Sequence, residues 1–159
     1  MTHRRPKVGD VLQFALPNGC YAYGRMLREG SVAFYRDTSS SAKNPPIGSR
    51  TYQFTVGVNR AVVTSDEVPI VGHDPSISDD DEWPPTGSIQ DPITGEMSLY
   101  SRGVITRSTH EATAGLEPVA AWDLHHVVDR LMGFGHLWST SAYDLTQEII
   151  ARRALEEPD

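Results

Sequence analysis

Between residues 11 and 37 large apolar side chains recur with a period of two, broken only by two short turn signals, and that pattern points to antiparallel sheet. In Val11-Leu12-Gln13-Phe14-Ala15-Leu16, the residues Leu12, Phe14 and Leu16 fall on one face. Pro17-Asn18-Gly19 turns the chain, because Asn and Gly both tolerate positive φ. The return strand, Cys20 to Leu27, puts Tyr21, Tyr23 and Leu27 on one face and Cys20, Ala22, Gly24 and Met26 on the other. A glycine inside a strand marks a bulge or a close approach by another backbone, and Gly24 is expected to do one or the other. Glu29-Gly30 leads into a third strand, Ser31 to Asp37, with Val32 and Phe34 on a common face. The three strands form a meander.

The rest of the chain follows more loosely. Residues 38–51 are a polar loop of turn formers, and Tyr52 to Val58 is a fourth strand that Arg60 to Val63 is expected to extend past a bend. From Ser65 to Thr94 prolines at 69, 75, 84, 85 and 92 break every pattern, making a loop too long to be incidental; it is expected to be functional or fastened at Trp83. Met97 to Tyr100 and Val104 to Thr106 read as short strands around a turn. Leu124, Val127, Val128, Leu131 and Met132 then form the apolar stripe of a helix over 123–132, closed by Gly133. A second helix is expected from an N-cap among Ser139 to Ser141, through Tyr143, Leu145, Ile149 and Ile150, to about Leu155. The fold class is α+β: a strongly bent antiparallel sheet, opened by the meander, with C-terminal helices packed on it. The expected organisation is one domain over 1–159. Residues 1–6 would be a flexible N-terminus, 7–107 mainly β with an acidic loop at 65–94, and 108–159 mainly helical.

Charge is distributed unevenly. The net charge is −7, yet residues 1–60 carry +6, residues 61–96 carry −9 with no Lys or Arg at all, and residues 97–159 carry −4. A base-free acidic segment repels phosphate and draws in a basic surface, although acidic surface also serves solubility alone. The lone Cys20 allows no internal disulfide and suits a reducing compartment. The basic N-terminus leads into Val8-Gly9-Asp10 rather than an apolar core, unlike a signal peptide, and no run approaches a membrane span. The cytoplasm is the expected address.

Catalytic signatures are missing. The six histidines show no zinc spacing, and on a helix the adjacent His125 and His126 are expected to point apart. Cys20 has no neighbouring base to make it a nucleophile, and neither GxSxG nor a phosphate-binding glycine motif occurs. The run Asp79-Asp80-Asp81-Glu82 lacks the alternation of a calcium loop and reads as a solvated loop or a protein-binding one. Aromatics and arginines on the first strands could suggest base stacking; its sign would be a continuous basic face from Arg25, Arg28, Arg36, Lys43 and Arg50.

The stretch Lys7-Val8-Gly9-Asp10, the apolar strand, the turn and then Tyr21-Ala22-Tyr23-Gly24-Arg25 resembles the opening of the immunity-26 family. Those are immunity proteins of bacterial polymorphic-toxin and contact-dependent-inhibition systems. Trp83-Pro84-Pro85-Thr86-Gly87 and Gly115-Leu116-Glu117 are similar too, so that the resemblance runs over about residues 7–135. The Asp-rich stretch before Trp83 and the final helix stand apart from it. The resemblance implies a cognate toxin bound and neutralised in the cytoplasm, with no catalysis and no cofactor; the acidic charge and the lack of an apolar span lead to no nucleic acid and no membrane as expected partners. Were the toxin a nuclease, its cleft would be basic, and acids beside an aromatic would imitate phosphates. On charge and aromatic character the partner-binding candidates are Asp74, Asp79, Asp80, Asp81, Glu82, Trp83 and Asp91. A general scaffold module, or an enzyme with an unrecognised site at His125 or His126, is the alternative.

Overall fold

The structure, a computed structural model, describes residues 5–40 and 44–134. The helix expected over residues 139–155 lies outside them, as do His3, Lys43 and His136. In chain order come β1 (Asp10–Ala15), β2 (Tyr21–Met26), β3 (Ser31–Tyr35), β4 (Tyr52–Val58) and a single helical turn, α1 (Arg60–Val63). Next are β5 (Ile70–His73), β6 (Gly87–Gln90), β7 (Met97–Ser101), β8 (Val104–Ser108) and α2 (His110–Thr113). β9 (Ala121–Trp122) and α3 (Leu124–Asp129) follow, and α3 passes into a π turn over Arg130–Phe134. The α+β class holds, with the strands divided between two sheets. One has the order β5-β1-β2-β3-β4-β9 and the other β6-β7-β8.

The meander forms as the alternation requires, with Leu12 opposite Gly24, Gly24 opposite Phe34 and Phe34 opposite Phe54. Gly24 sits in regular register, so it marks no bulge. The close approach is by a side chain: a Cβ there would lie 2.3 Å from Cγ1 of Val32. With only Ala22 and Gly24 on β2 at this level, Phe14 of β1 and Phe34 of β3 meet across it at 5.1 Å. Phe34 and Phe54 then stand 4.8 Å apart. This aromatic row is the centre of the larger core, which also holds Leu12, Val32, Val56, Trp122 and Val127. Leu124, Val128, Leu131 and Met132 pack against it, so the apolar stripe of α3 does what its spacing implies, and Gly133 ends the element at φ +97°.

The structure corrects the expectation for Arg60 to Val63: the chain does not extend β4 but coils into α1. Asn59 is held by pairing with β9, its N–H reaching the Trp122 carbonyl at 3.0 Å, and its own carbonyl accepts from Val62 at 2.9 Å. Coiling buries both Val62 and Val63, whereas a strand would have buried only one. β5 and β6 lie inside the stretch that sequence patterning left irregular. Each has only four residues close to prolines, so its register comes from a neighbouring strand rather than from its own alternation.

Candidate partner-binding site

The opposite face of the larger sheet carries Val11, Tyr23 and Tyr35, with Tyr21, Tyr52 and Val71 packed around them. In the same period-two series stands Arg25, which is 0% exposed. A buried guanidinium has five donors to satisfy, and here loop carbonyls and side chains do so. Its Nε donates to the Asp74 carbonyl at 2.9 Å, Nη1 to the Asp81 carbonyl at 2.9 Å and Nη2 to Ser76 Oγ at 3.0 Å. Nη2 also faces the Asp81 carboxylate at 3.4 Å. One strand side chain thus pins the segment 74–81 across the sheet.

Asp74 is the second centre of this clamp. Tyr35 Oη donates to its Oδ2 at 2.5 Å, the Gly48 N–H donates to the same oxygen at 3.0 Å, and Arg50 pairs with Oδ1 at 3.0 Å. Burial pushes the Asp74 carboxyl up. The Tyr35 and Gly48 hydrogen bonds and the Arg50 and Arg25 charges outweigh that and hold it below the ordinary value. Asp81 behaves alike: burial raises it, but the Ile77 N–H at 2.9 Å, the hydrogen bond from Arg50 and the two guanidinium charges leave it lowered. Tyr35 is pushed far up, chiefly by burial and then by its bond to Asp74.

The Gly9-Asp10 pair fixes where this begins. Gly9 has φ +92°, and a Cβ there would lie 2.8 Å from the His73 ring and 2.9 Å from the Asp74 carbonyl. The Asp74 N–H donates to the Gly9 carbonyl at 2.7 Å, while Asp10 contacts His73 Nδ1 at 3.0 Å.

From this base the run 79–83 projects as a 3-10 turn over Asp80–Glu82. Asp79 and Asp80 point outward, their side chains 72% and 84% exposed. Arg102, in the β7–β8 turn, pairs with Asp80 at 2.7 Å, and Arg28 pairs with Glu82 at 3.1 Å. Both guanidinium groups lie over the half-buried Trp83 ring, at 5.0 Å for Arg28 and 5.3 Å for Arg102. Among the described residues the non-glycine residues with positive φ are Glu29 (62°), Arg50 (56°) and Arg102 (49°), and the two arginines bind this loop. Glu29 accepts from Tyr100 Oη at 3.0 Å, Arg50 binds Asp81, and Arg102 binds Asp80. Left-handed backbone at such residues costs about 1–2 kcal/mol each, a strain the surrounding contacts must hold.

The seven acidic and aromatic candidates therefore separate. Asp79, Asp80, Glu82 and Trp83 share one surface. Asp81 and the 2% exposed Asp74 turn inward to the clamp. Asp91 sits at the other end of β6, where its carboxylate accepts from the Ile93 and Thr94 N–H groups at 2.8 and 3.0 Å and shapes the turn into β7. Sequence reasoning missed Arg25 and Arg50 as its organisers. Arg25 had a legible signal, a charge at an inward strand position, whereas Arg50 lies in a loop that carries none. The arginines named for a basic face are dispersed, with Arg25 buried, Arg50 on Asp74 and Asp81, and Arg28 on Glu82 and Trp83. His125 and His126 do not point apart, their ring centroids lying 3.8 Å from each other. Among the described residues no cluster of three or more His, Cys, Asp or Glu is placed to hold a metal. No described helix is long and apolar enough to cross a membrane.

What this arrangement can do chemically is present fixed carboxylates beside a cation-stacked indole. No curated protein and no solved structure matches the chain. A family profile, immunity protein 26, matches residues 7–99, which is 93 of 159 residues. The match takes in the clamp, the acidic run and Trp83, and it stops before Gly115–Glu117 and α3, short of the residue 135 expected from the resemblance. With the greater part of its length matched, from the Gly9-Asp10 opening to the middle of β7, the chain belongs to the immunity protein 26 family.

Proposed function

We propose that this chain neutralises a cognate bacterial toxin domain in the cytoplasm by binding it through the surface of Asp79, Asp80, Glu82 and Trp83. Family membership supports the immunity role. The observation that supports the site is the clamp itself: two arginines hold Asp81 and Asp74, and Arg28 and Arg102 pair with Glu82 and Asp80, so that Asp79 and Asp80 stay outward on an anchored loop. Preorganised carboxylates lose little conformational freedom on binding, so their attraction for a basic surface goes into affinity and association rate. On charge, the phosphate-binding cleft of a nuclease is a basic surface that these carboxylates suit. Trp83 supplies the apolar centre that the ring of charges surrounds.

Co-expression tests the proposal. Cells that produce the cognate toxin domain, identified as the protein that co-purifies with this chain from its host, should survive when this chain is present and die without it. Survival should fail with the double variant Asp79→Asn/Asp80→Asn at matched protein levels. Full protection by that variant would remove the acidic surface from the site, and no protection by the unaltered chain would remove the immunity role itself.

A further inference from the structure

The four outer sheet edges are guarded unequally. β9 is two residues long and runs directly into α3. β5 is set between Pro69 and Pro75 and pairs with β1 across a register shift. β6 is covered by residues 117–119, with the Ser88 N–H on the Glu117 carbonyl and the Val119 N–H on the Ser88 carbonyl, both at 2.8 Å. Among the described residues β8 has none of these devices. It contains no proline, glycine or register shift, and its one charged side chain, Arg107, is engaged by Glu96. Natural edge strands normally carry such protection, because an open one is a template for another strand.

The direction of its free groups follows from the turn. Arg102-Gly103, with φ +49° and +84°, is a two-residue connection between the paired Ser101 and Val104. The pair closing such a turn is hydrogen-bonded, and bonded pairs alternate, so Thr106 and Ser108 also point their amides at β7. The N–H and C=O groups of Ile105 and Arg107 therefore point away from it. Among the described residues none makes a backbone bond to them. Val104 and Ile105, on opposite faces of the strand, are each 63% exposed.

We infer that the edge of β8 receives an extended segment of the toxin as an added strand, which rests on the immunity reading and extends its surface. Continuity supports this occupant: Arg102, in the turn that starts β8, also holds Asp80 and covers Trp83. Edge and acidic loop thus form one surface. Exposure and charge define the segment it would take: Val104 and Ile105 lie open to apolar residues, and Asp79 and Asp80 to a Lys or Arg at the end nearest the acidic loop. A second copy of this chain fits less well, because a five-residue edge alone buries far less than the roughly 1,200 Å² of a stable interface, and each copy carries −7. Main-chain bonds would supply affinity and the flanking side chains specificity.

Amide hydrogen exchange of the full chain tests this, with the catalytically inactivated cognate toxin domain, identified by co-purification from the host, as probe. In the complex the Ile105 and Arg107 amides should slow about tenfold or more, while Thr106, already bonded, should change little. Ile105→Pro removes one outward N–H and leaves the β7 ladder intact, so it should weaken binding about tenfold. Ile105→Lys, which keeps the amide, serves if the proline variant fails to fold, and should weaken binding through the lost apolar contact. A complex that forms with unchanged exchange at Ile105 and Arg107 overturns the edge and leaves the immunity reading standing. Protection of the same amides in the isolated chain that grows with its concentration makes a second copy the occupant. A toxin that does not bind the unaltered chain overturns both readings.

Discussion

The two faces of the larger sheet are built by the same period-two rule and stabilised by different physics. On one, Phe14 and Phe34 meet across a strand whose side chains have been reduced to Ala22 and Gly24, and Phe54 continues the row from the next strand. On the other, Tyr23 and Tyr35 surround Arg25, and polar loops close over the top with Asp74 and Asp81. The apolar face meets charge at its rim, where Arg130, paired with Glu117, lies over the Phe54 and Trp122 rings. The charged face takes two loops distant in sequence, 44–50 and 74–82, and fixes both. The difference teaches where the binding surface comes from: the apolar face makes the fold, and the polar face makes the loop.

Substitutions on each face sharpen that contrast. Phe34→Ala should lower unfolding stability by about 3–5 kcal/mol, measured by urea titration, and by the same amount at pH 7 and pH 4. Arg25→Met should cost roughly 3 kcal/mol, because it leaves the Asp74 and Asp81 carbonyls and Ser76 Oγ without their buried donor, while Arg50 and the Ile77 N–H still hold the Asp81 carboxylate. Unlike Phe34→Ala, it should also release segment 74–82 to fast amide exchange. If Arg25→Met leaves that segment protected, the clamp is not what holds it. Gly24→Ala should cost about 1–3 kcal/mol, since its Cβ would lie 2.3 Å from Cγ1 of the fully buried Val32.

Acid separates the faces next. The Asp74 and Asp81 carboxyls titrate below their ordinary value in the folded chain. Such groups contribute stability that is fully present above the unfolded value of about 4 and lost as pH falls through the folded one. Urea midpoints should therefore drop below about pH 4, and Asp81→Asn should flatten that drop. An acid profile identical in Asp81→Asn would show that the Asp81 pair contributes nothing to it. The smallest effect is expected at Asp79 and Asp80, where the double Asn variant should leave the melting temperature unchanged because exposed ion pairs contribute little.

Legibility divides along the same line. The meander, its hairpin turn and the stripe of α3 could be read from the sequence, because each depends on local periodicity that burial enforces. β5 and β6 could not, because four residues between breakers carry no period. The acidic run stood out by composition, yet composition treats Asp81 and Asp79 alike. Only the arginines that approach from β2 and from the 44–50 loop turn one inward and leave the other outward. Asp91 belongs to the same lesson, since a carboxylate two and three residues ahead of free N–H groups shapes a turn whatever the net charge around it.

The central claim is that Asp79 and Asp80 form a preorganised anionic contact for a toxin. Titration calorimetry of the inactivated toxin domain against the unaltered chain and the Asp79→Asn/Asp80→Asn variant, at low and at high salt, tests it most directly. The account expects the variant to bind about tenfold or more weakly at low salt, with a flattened salt dependence and an unchanged melting temperature. Equal affinity and equal salt dependence for the two proteins would contradict it.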